Sequence, residues 1–234
     1  GPLSLGATTI LLESPMILLD KILLKKILKL NVTILYLPVT LIRLMKALFN
    51  KVKFNYKSLK TLGSMGEPLA PSVGKWFAVS FNLQRKAIIN TYFQTETGGI
   101  VASPKYTDSS KQVPHGSVGK MIDKKIKIYD LNKNKNEIII KSSWPGCMKN
   151  VINGKKEWNK YWNSEGNFRM FDLATLKNKN IYVHGRVDDV INIRGHRIGS
   201  EEIESVVLKI KDIHECCAVL VNEDLEGAVI QLFV

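Results

Sequence analysis

Cysteine is nearly absent from this chain: there are three in 234 residues, two of them adjacent at Cys216 and Cys217. Three thiols cannot build a disulfide framework, and none of their spacings is that of a metal site. A reducing compartment is the expectation, and the chain is read as cytoplasmic. Long apolar runs are missing too. The longest uncharged stretch, 30–42, falls short of the roughly 18–20 residues a membrane span needs, and it contains Pro38. Acids are scarce, 21 against 34 Lys and Arg, which leaves a formal net charge of +13. That balance alone would suggest nucleic acid or an anionic surface. The lysines are scattered, however, and in 132–136 and 177–180 they alternate with asparagine, as in solvated turns. No basic helix carries interleaved aromatics, so no nucleic-acid partner is expected. Lys21, Lys25 and Lys29 fall at helical spacing, with Ile22, Leu23, Ile27 and Leu30 assigned to the other side. Such a helix more often covers a sheet than lies on lipid, and no membrane partner is expected.

What remains is an ordinary globular composition, 45% hydrophobic and 24% charged. The pattern predicts strands over 8–12, 33–37, 59–62 and 87–89 alternating with helices over 17–29, 40–49 and 71–81. That alternation argues for a parallel sheet with crossover helices. From Gly116 onward it gives way to short strands, over 125–129, 137–141 and 181–184, expected to form a smaller antiparallel β subdomain. After Arg186 a new unit begins, with Ser200 as the expected N-cap and Ile203, Val206, Val207 and Ile210 as its buried stripe. Residues 216–221 read as a buried strand and 228–234 as an unfinished one. The expected domains are therefore 1–187 and 188–234.

Three blocks carry chemistry. In 185–199, two carboxylates, three guanidiniums, a histidine and three glycines crowd into fifteen residues. Arginine offers forked donors for phosphate, and glycine lets backbone approach a ligand. In Asn90-Thr91-Tyr92-Phe93-Gln94-Thr95-Glu96-Thr97-Gly98-Gly99 an apolar strand runs into hydroxyls, an amide and one carboxylate on a tight turn. Gly63-Ser64-Met65-Gly66-Glu67-Pro68 is a glycine-bracketed loop with a single acid.

In that order, and together with Gly1-Pro2-Leu3…Gly6-Ala7-Thr8-Thr9 and Ser143-Trp144-Pro145-Gly146, the blocks resemble the adenylate-forming (AMP-binding) superfamily, closest to its acetyl-coenzyme A synthetase branch. The resemblance implies an α/β fold: the C-terminal part of the large AMP-binding domain, and the start of a small α+β domain. The family's phosphate loop would precede residue 1 and its adenylation lysine would follow residue 234. The chain is thus read as a fragment, inactive by itself, with the remainder of the same enzyme as a potential partner. The implied reaction has two halves. A carboxylate, acetate, attacks the α-phosphorus of ATP and expels pyrophosphate. Coenzyme A thiol then attacks the acyl carbon and releases AMP. The alternatives are a ligase for propionate or another short acid, and a non-catalytic relic of the fold.

By motif position, Gly66, Glu67 and Pro68 would line the adenine and ribose side, and Asn90, Thr91, Tyr92, Phe93, Gln94 and Thr95 the nucleotide loop. Glu96 would hold Mg²⁺, a hard cation suited to carboxylate oxygen. Asp172 would take the ribose hydroxyls, and Arg186 and Arg197 would reach the nucleotide. Asp188 would be the hinge, Gly195 and Arg194 would meet coenzyme A, and Met65 and Phe93 would face each other across the acyl pocket. His184, His196 and His214 are read as structural. One departure is sharp: where the family has glycine before the ribose aspartate, this chain has Phe171.

Overall fold

The computed structural model describes residues 2–122, 126–130, 136–141, 145–187, 190–193, 196–210, 212–213, 215–223 and 227–234, with backbone alone for 126–130, 136, 190–193, 196–197, 201, 222–223 and 227–228. The expected domain boundary at Asp188 lies outside the described residues.

The first half is the expected parallel layer. In chain order it comprises α1 (Lys21–Leu28), β1 (Ile34–Pro38), α2 (Val39–Phe49), β2 (Thr61–Met65), α3 (Pro71–Ser80) and β3 (Ile89–Asn90). The strands lie β1-β2-β3, all parallel, with Leu35 opposite Leu62 and Gly63 opposite Ile89. Period two turns Leu35 and Leu37 of β1 inward, onto helices that supply Leu24, Leu28, Ile42, Met45 and Phe77. Each of those five side chains is at most 1% exposed, and burying one stabilises the fold by about 1.5–3 kcal/mol.

Two expectations are corrected here. Residues 8–12 form no strand, and Leu11 is 89% exposed, because no neighbouring strand among the described residues offers them a ladder. The helix begins at Lys21, not at 17, because the Asp20 carboxylate accepts the Ile22 and Leu23 N–H groups at 2.7 and 3.0 Å. From that start Leu24 and Leu28 face the core, whereas Ile22 and Leu23 are exposed. No helix among the described residues is long and apolar enough to cross a membrane.

The second half is antiparallel, as expected. A small sheet joins β4 (Tyr92–Gln94), β5 (Gly99–Ser103) and β6 (Lys120–Met121). A larger one contains β7 (Ile126–Asp130), β8 (Asn136–Ile140), β9 (Phe168–Lys177) and β10 (Asn180–Arg186) in the order β10-β9-β8-β7, with α4 (Lys155–Lys160) before β9. Val101, Ala102, Ile138, Ile140, Phe168 and Met170 form a separate core between these sheets. The chain closes with β11 (Val190–Ile193), β12 (His196–Gly199), α5 (Ser200–Val207), β13 (Cys217–Glu223) and β14 (Gly227–Phe233). The strand expected as unfinished at the end, β14, pairs with β13 along its whole length, and β13 is not the buried strand expected: Cys217 and Leu220 are exposed because, among the described residues, only β14 flanks it in the sheet. Gly199, not Ser200, is the N-cap of α5, and Val206 and Ile210 are each 57% exposed. The helix ends at Val207, so the buried position falls on Leu208 instead.

Candidate functional site

An open cleft of roughly 1450 Å³ lies where the carboxyl ends of the parallel strands meet the antiparallel sheets. The loop leaving β2 forms one wall. Gly66 there has φ +91°, a conformation that costs glycine little, and it turns the chain so that Glu67 faces α2. Glu67 is clamped by Arg43 and by the Thr40 hydroxyl at 2.6 Å. Both clamping residues stand on α2, one turn apart in effect, which lets them grip the two carboxylate oxygens separately.

The second wall is the β4–β5 hairpin, closed by a 3-10 turn over Thr95–Thr97. Asn90 and Thr91 are buried ahead of it. Asn90 accepts from the Ser64 hydroxyl at 3.0 Å and donates to the Ser117 carbonyl at 3.3 Å, while the Thr91 hydroxyl donates to the Ser64 carbonyl at 3.1 Å. These two side chains therefore fasten β3 to its surroundings. Gly98 closes the turn at φ +62°, and a Cβ there would sit 1.9 Å from the Gly146 carbonyl oxygen. The Glu96 carbonyl accepts the Met148 N–H at 2.8 Å, and the Glu96 carboxylate accepts the Tyr161 hydroxyl at 2.9 Å. Burial and that carboxylate push the Tyr161 hydroxyl above its usual pKa.

Behind the hairpin stands Asp172 on β9, 8% exposed. It accepts from the Tyr92 hydroxyl at 2.5 Å and from the Gln94 amide, whose nitrogen also donates to the Met170 carbonyl at 2.6 Å. Burial first, then the Asp172 charge, hold the Tyr92 hydroxyl well above its ordinary pKa, so it stays a donor at neutral pH. Asp172 is the register partner of Arg186 on β10, where the strand bulges between Val183 and Arg186. Beneath them lies a buried ion pair. The fully buried Glu137 accepts from Arg169 Nε at 3.1 and 3.2 Å, from its Nη2 at 2.9 Å, and from the Phe171 N–H at 3.1 Å.

Ten of the sequence-predicted residues line this one cleft: Gly66, Glu67, Pro68, Asn90, Thr91, Tyr92, Phe93, Gln94, Asp172 and Arg186. Thr95 and Glu96 sit on the hairpin turn and Met65, half-buried, at the end of β2; none of the three lines the cleft itself. Phe93 is 40% exposed on β4. Arg197 lies on β12 opposite Asn192, with its side chain undescribed. Asp188, Arg194 and Gly195 lie outside the described residues, as do Ser143, Trp144 and His214. His184, read from sequence as structural, lines this cleft; its Nε2 meets the Thr175 hydroxyl at 2.8 Å, and burial lowers its pKa. Sequence reasoning missed Arg43, which lines the cleft and grips Glu67, Tyr161, which holds Glu96, and Glu137, which supports Phe171 beside Asp172.

The fold is α/β, a parallel layer beside antiparallel sheets with the cleft between them, and comparison with known proteins supplies the family. Residues 1–144 match the AMP-binding enzyme family, and the chain belongs to that family. Over its full length it is similar to acetyl-coenzyme A synthetases, 33% identical over 246 positions to that of Aeromonas hydrophila and 30% over 249 to that of Helicobacter pylori strain P12. It spans 38% of the length of each. The anthranilate CoA ligase AuaEII, solved with anthranoyl-AMP, superposes with a TM-score of 0.81 at 18% identity, over 97% of this chain and 43% of that one. That likeness bears on the fold alone.

Proposed function

We propose that this chain supplies the nucleotide face of an AMP-forming acetate–CoA ligase. The observation that carries the reading is convergence: Asp172 and Arg186, register partners on adjacent strands, share a cleft with the Gly66–Glu67–Pro68 loop and the Gln94 hairpin. A carboxylate opposite a guanidinium suits a ribose diol beside a phosphate. In this reading Glu67 and Pro68 border the base, Asp172 accepts from the ribose hydroxyls, and Arg186 and Arg197 meet phosphate oxygens. Holding the reacting groups and matching the developing charge is most of what such a reaction asks of a protein. Thr95 belongs beside the α-phosphate.

For Mg²⁺ the donor set fits one mode. Among the described residues there is no cluster of three potential metal ligands, so Glu96 would give a single carboxylate. Glu96 would hold Mg²⁺ through that carboxylate, and the ion would supply neutralisation of phosphate charge. Tyr161 would hold the Glu96 carboxylate in one orientation. Asp188 as hinge, and Arg194 and Gly195 beside coenzyme A, follow from motif position, as does the division at 188. For the acyl group, the exposed Phe93 on the cleft wall is the residue that would contact a small acid, and the relatives' names make acetate the acid to try. Met65 would act on it from behind that wall.

The test is calorimetric titration of the purified chain with AMP. Saturable binding that Arg186→Ala and Asp172→Ala both weaken is expected. No heat and no shift with millimolar AMP would overturn the reading.

A further inference from the structure

Phe171 stands where the family pattern has glycine, and it keeps a glycine-like backbone: φ is +56°. A bulky residue in the left-handed region is strained and persists only where its surroundings compensate. Here they do so from several sides. The Phe171 N–H donates to the buried Glu137 carboxylate at 3.1 Å, and its carbonyl accepts the Val187 N–H at 2.6 Å. Its ring meets Tyr161 edge-on, with centroids 5.5 Å apart. The Arg169 guanidinium lies 4.6 Å from the ring centroid and the Arg186 guanidinium 5.9 Å. Arg169 is anchored by Glu137 and so fixes the ring, while Arg186, which lines the cleft, lies over the same ring.

We infer that Phe171 is a positioning residue for Arg186: its half-buried ring is a platform that orients the guanidinium toward a nucleotide phosphate. A glycine would give the same backbone turn but no surface for Arg186 to lie on. The platform explains how strain at Phe171 can be retained, because the ring attracts a cation through its negatively charged face. It also links Asp172 and Arg186, which flank the kink and face each other across the β9–β10 ladder. The inference rests on the proposed nucleotide reading for its ligand, but not for its geometry.

Two measurements separate the two. In the first, the arginine Nε–H signals of the chain are recorded without ligand. Arg186, assigned through Arg186→Lys, should be displaced by the ring current of Phe171. Phe171→Leu, which keeps bulk and removes the ring, should abolish that displacement, and Phe171→Tyr should preserve it. An Arg186 signal undisplaced in the native chain overturns the platform, even if the Leu variant fails to fold. In the second, AMP affinity is measured in a cycle. Phe171→Leu should weaken binding about two- to fivefold, the size of an exposed cation–π contact. Phe171→Tyr should restore it, and in an Arg186→Ala background Phe171→Leu should change nothing further. Equal loss in both backgrounds means a merely structural role and overturns the inference. If the native chain binds no AMP, the proposed function falls and the ring-current measurement alone decides the platform.

Discussion

Arg169→Met should cost this fold about 3 kcal/mol, and the structure says why. Glu137 is fully buried and takes three of its four hydrogen bonds from Arg169, with the fourth from the Phe171 N–H. Among the described residues, removing the arginine leaves the carboxylate with one backbone donor and no ion-pair partner. Breaking a buried pair from one side costs about 3–5 kcal/mol, and the lower end applies here because Arg169 is 29% exposed and water can reach its place. For a chain of this size the loss corresponds to a fall of roughly 6–12 °C in Tm. Removing the charge as well should undo most of it. In Glu137→Gln with Arg169→Met, the amide oxygen still accepts from Phe171 while no charge remains at position 137, and stability should return to within about 1 kcal/mol of native. Urea unfolding followed by tryptophan fluorescence reads this directly. Trp162 lies against Phe168 at the start of β9, with ring centroids 5.5 Å apart. A loss below about 1 kcal/mol in the single variant, or a double variant no better than the single, would refute the view of Glu137 as a buried charge that depends on Arg169.

Gly98→Ala should destabilise by about 2–4 kcal/mol, combining left-handed strain with a Cβ forced onto the Gly146 carbonyl, and chemical denaturation would measure it. Tyr92 has a folded pKa raised above its unfolded value, so its contribution to stability is complete below about pH 10 and is lost as pH rises toward the folded pKa. Ultraviolet titration should show Tyr92 ionising after the exposed tyrosines, an order that Tyr92→Phe would reveal by loss of the late step. With a limiting thiol reagent at pH 8, Cys217 should react before Cys216, whose thiol is half-buried and pushed up by burial and by Glu204; peptide mapping showing the reverse order would count against that environment.

The elements legible from sequence were those whose pattern reports a single environment. α2 and α3 carry continuous apolar stripes, and β1 alternates, so they fall where expected. β9 was not anticipated. Its inward positions are Phe168, Met170, Asp172 and Ala174, and the aspartate at an inward site hides the period. That aspartate is tolerated because Tyr92 and Gln94, remote in sequence, arrive to satisfy it. The candidate site was legible as motifs because its loops are local: the Gly66 turn and the Gln94 hairpin each fold from consecutive residues. The supports were not. Arg43 under Glu67, Tyr161 on Glu96 and Glu137 under Phe171 are contacts over 24, 65 and 34 residues of sequence, which no spacing rule could foresee.

In the parallel layer, β1, β2 and β3 all run the same way and deliver their ends, Pro38, Met65 and Asn90, to one edge. The core of Leu35, Leu37 and Leu62 lies behind that edge, on the helix-covered side. Recognition and foldability are thereby assigned to different residues of the same strands. Wall residues such as Glu67, Phe93 and Gln94 can therefore change without disturbing Leu35, Leu37 or Leu62. What holds the strands together lies in the interior, and what they present to a ligand lies along a single rim.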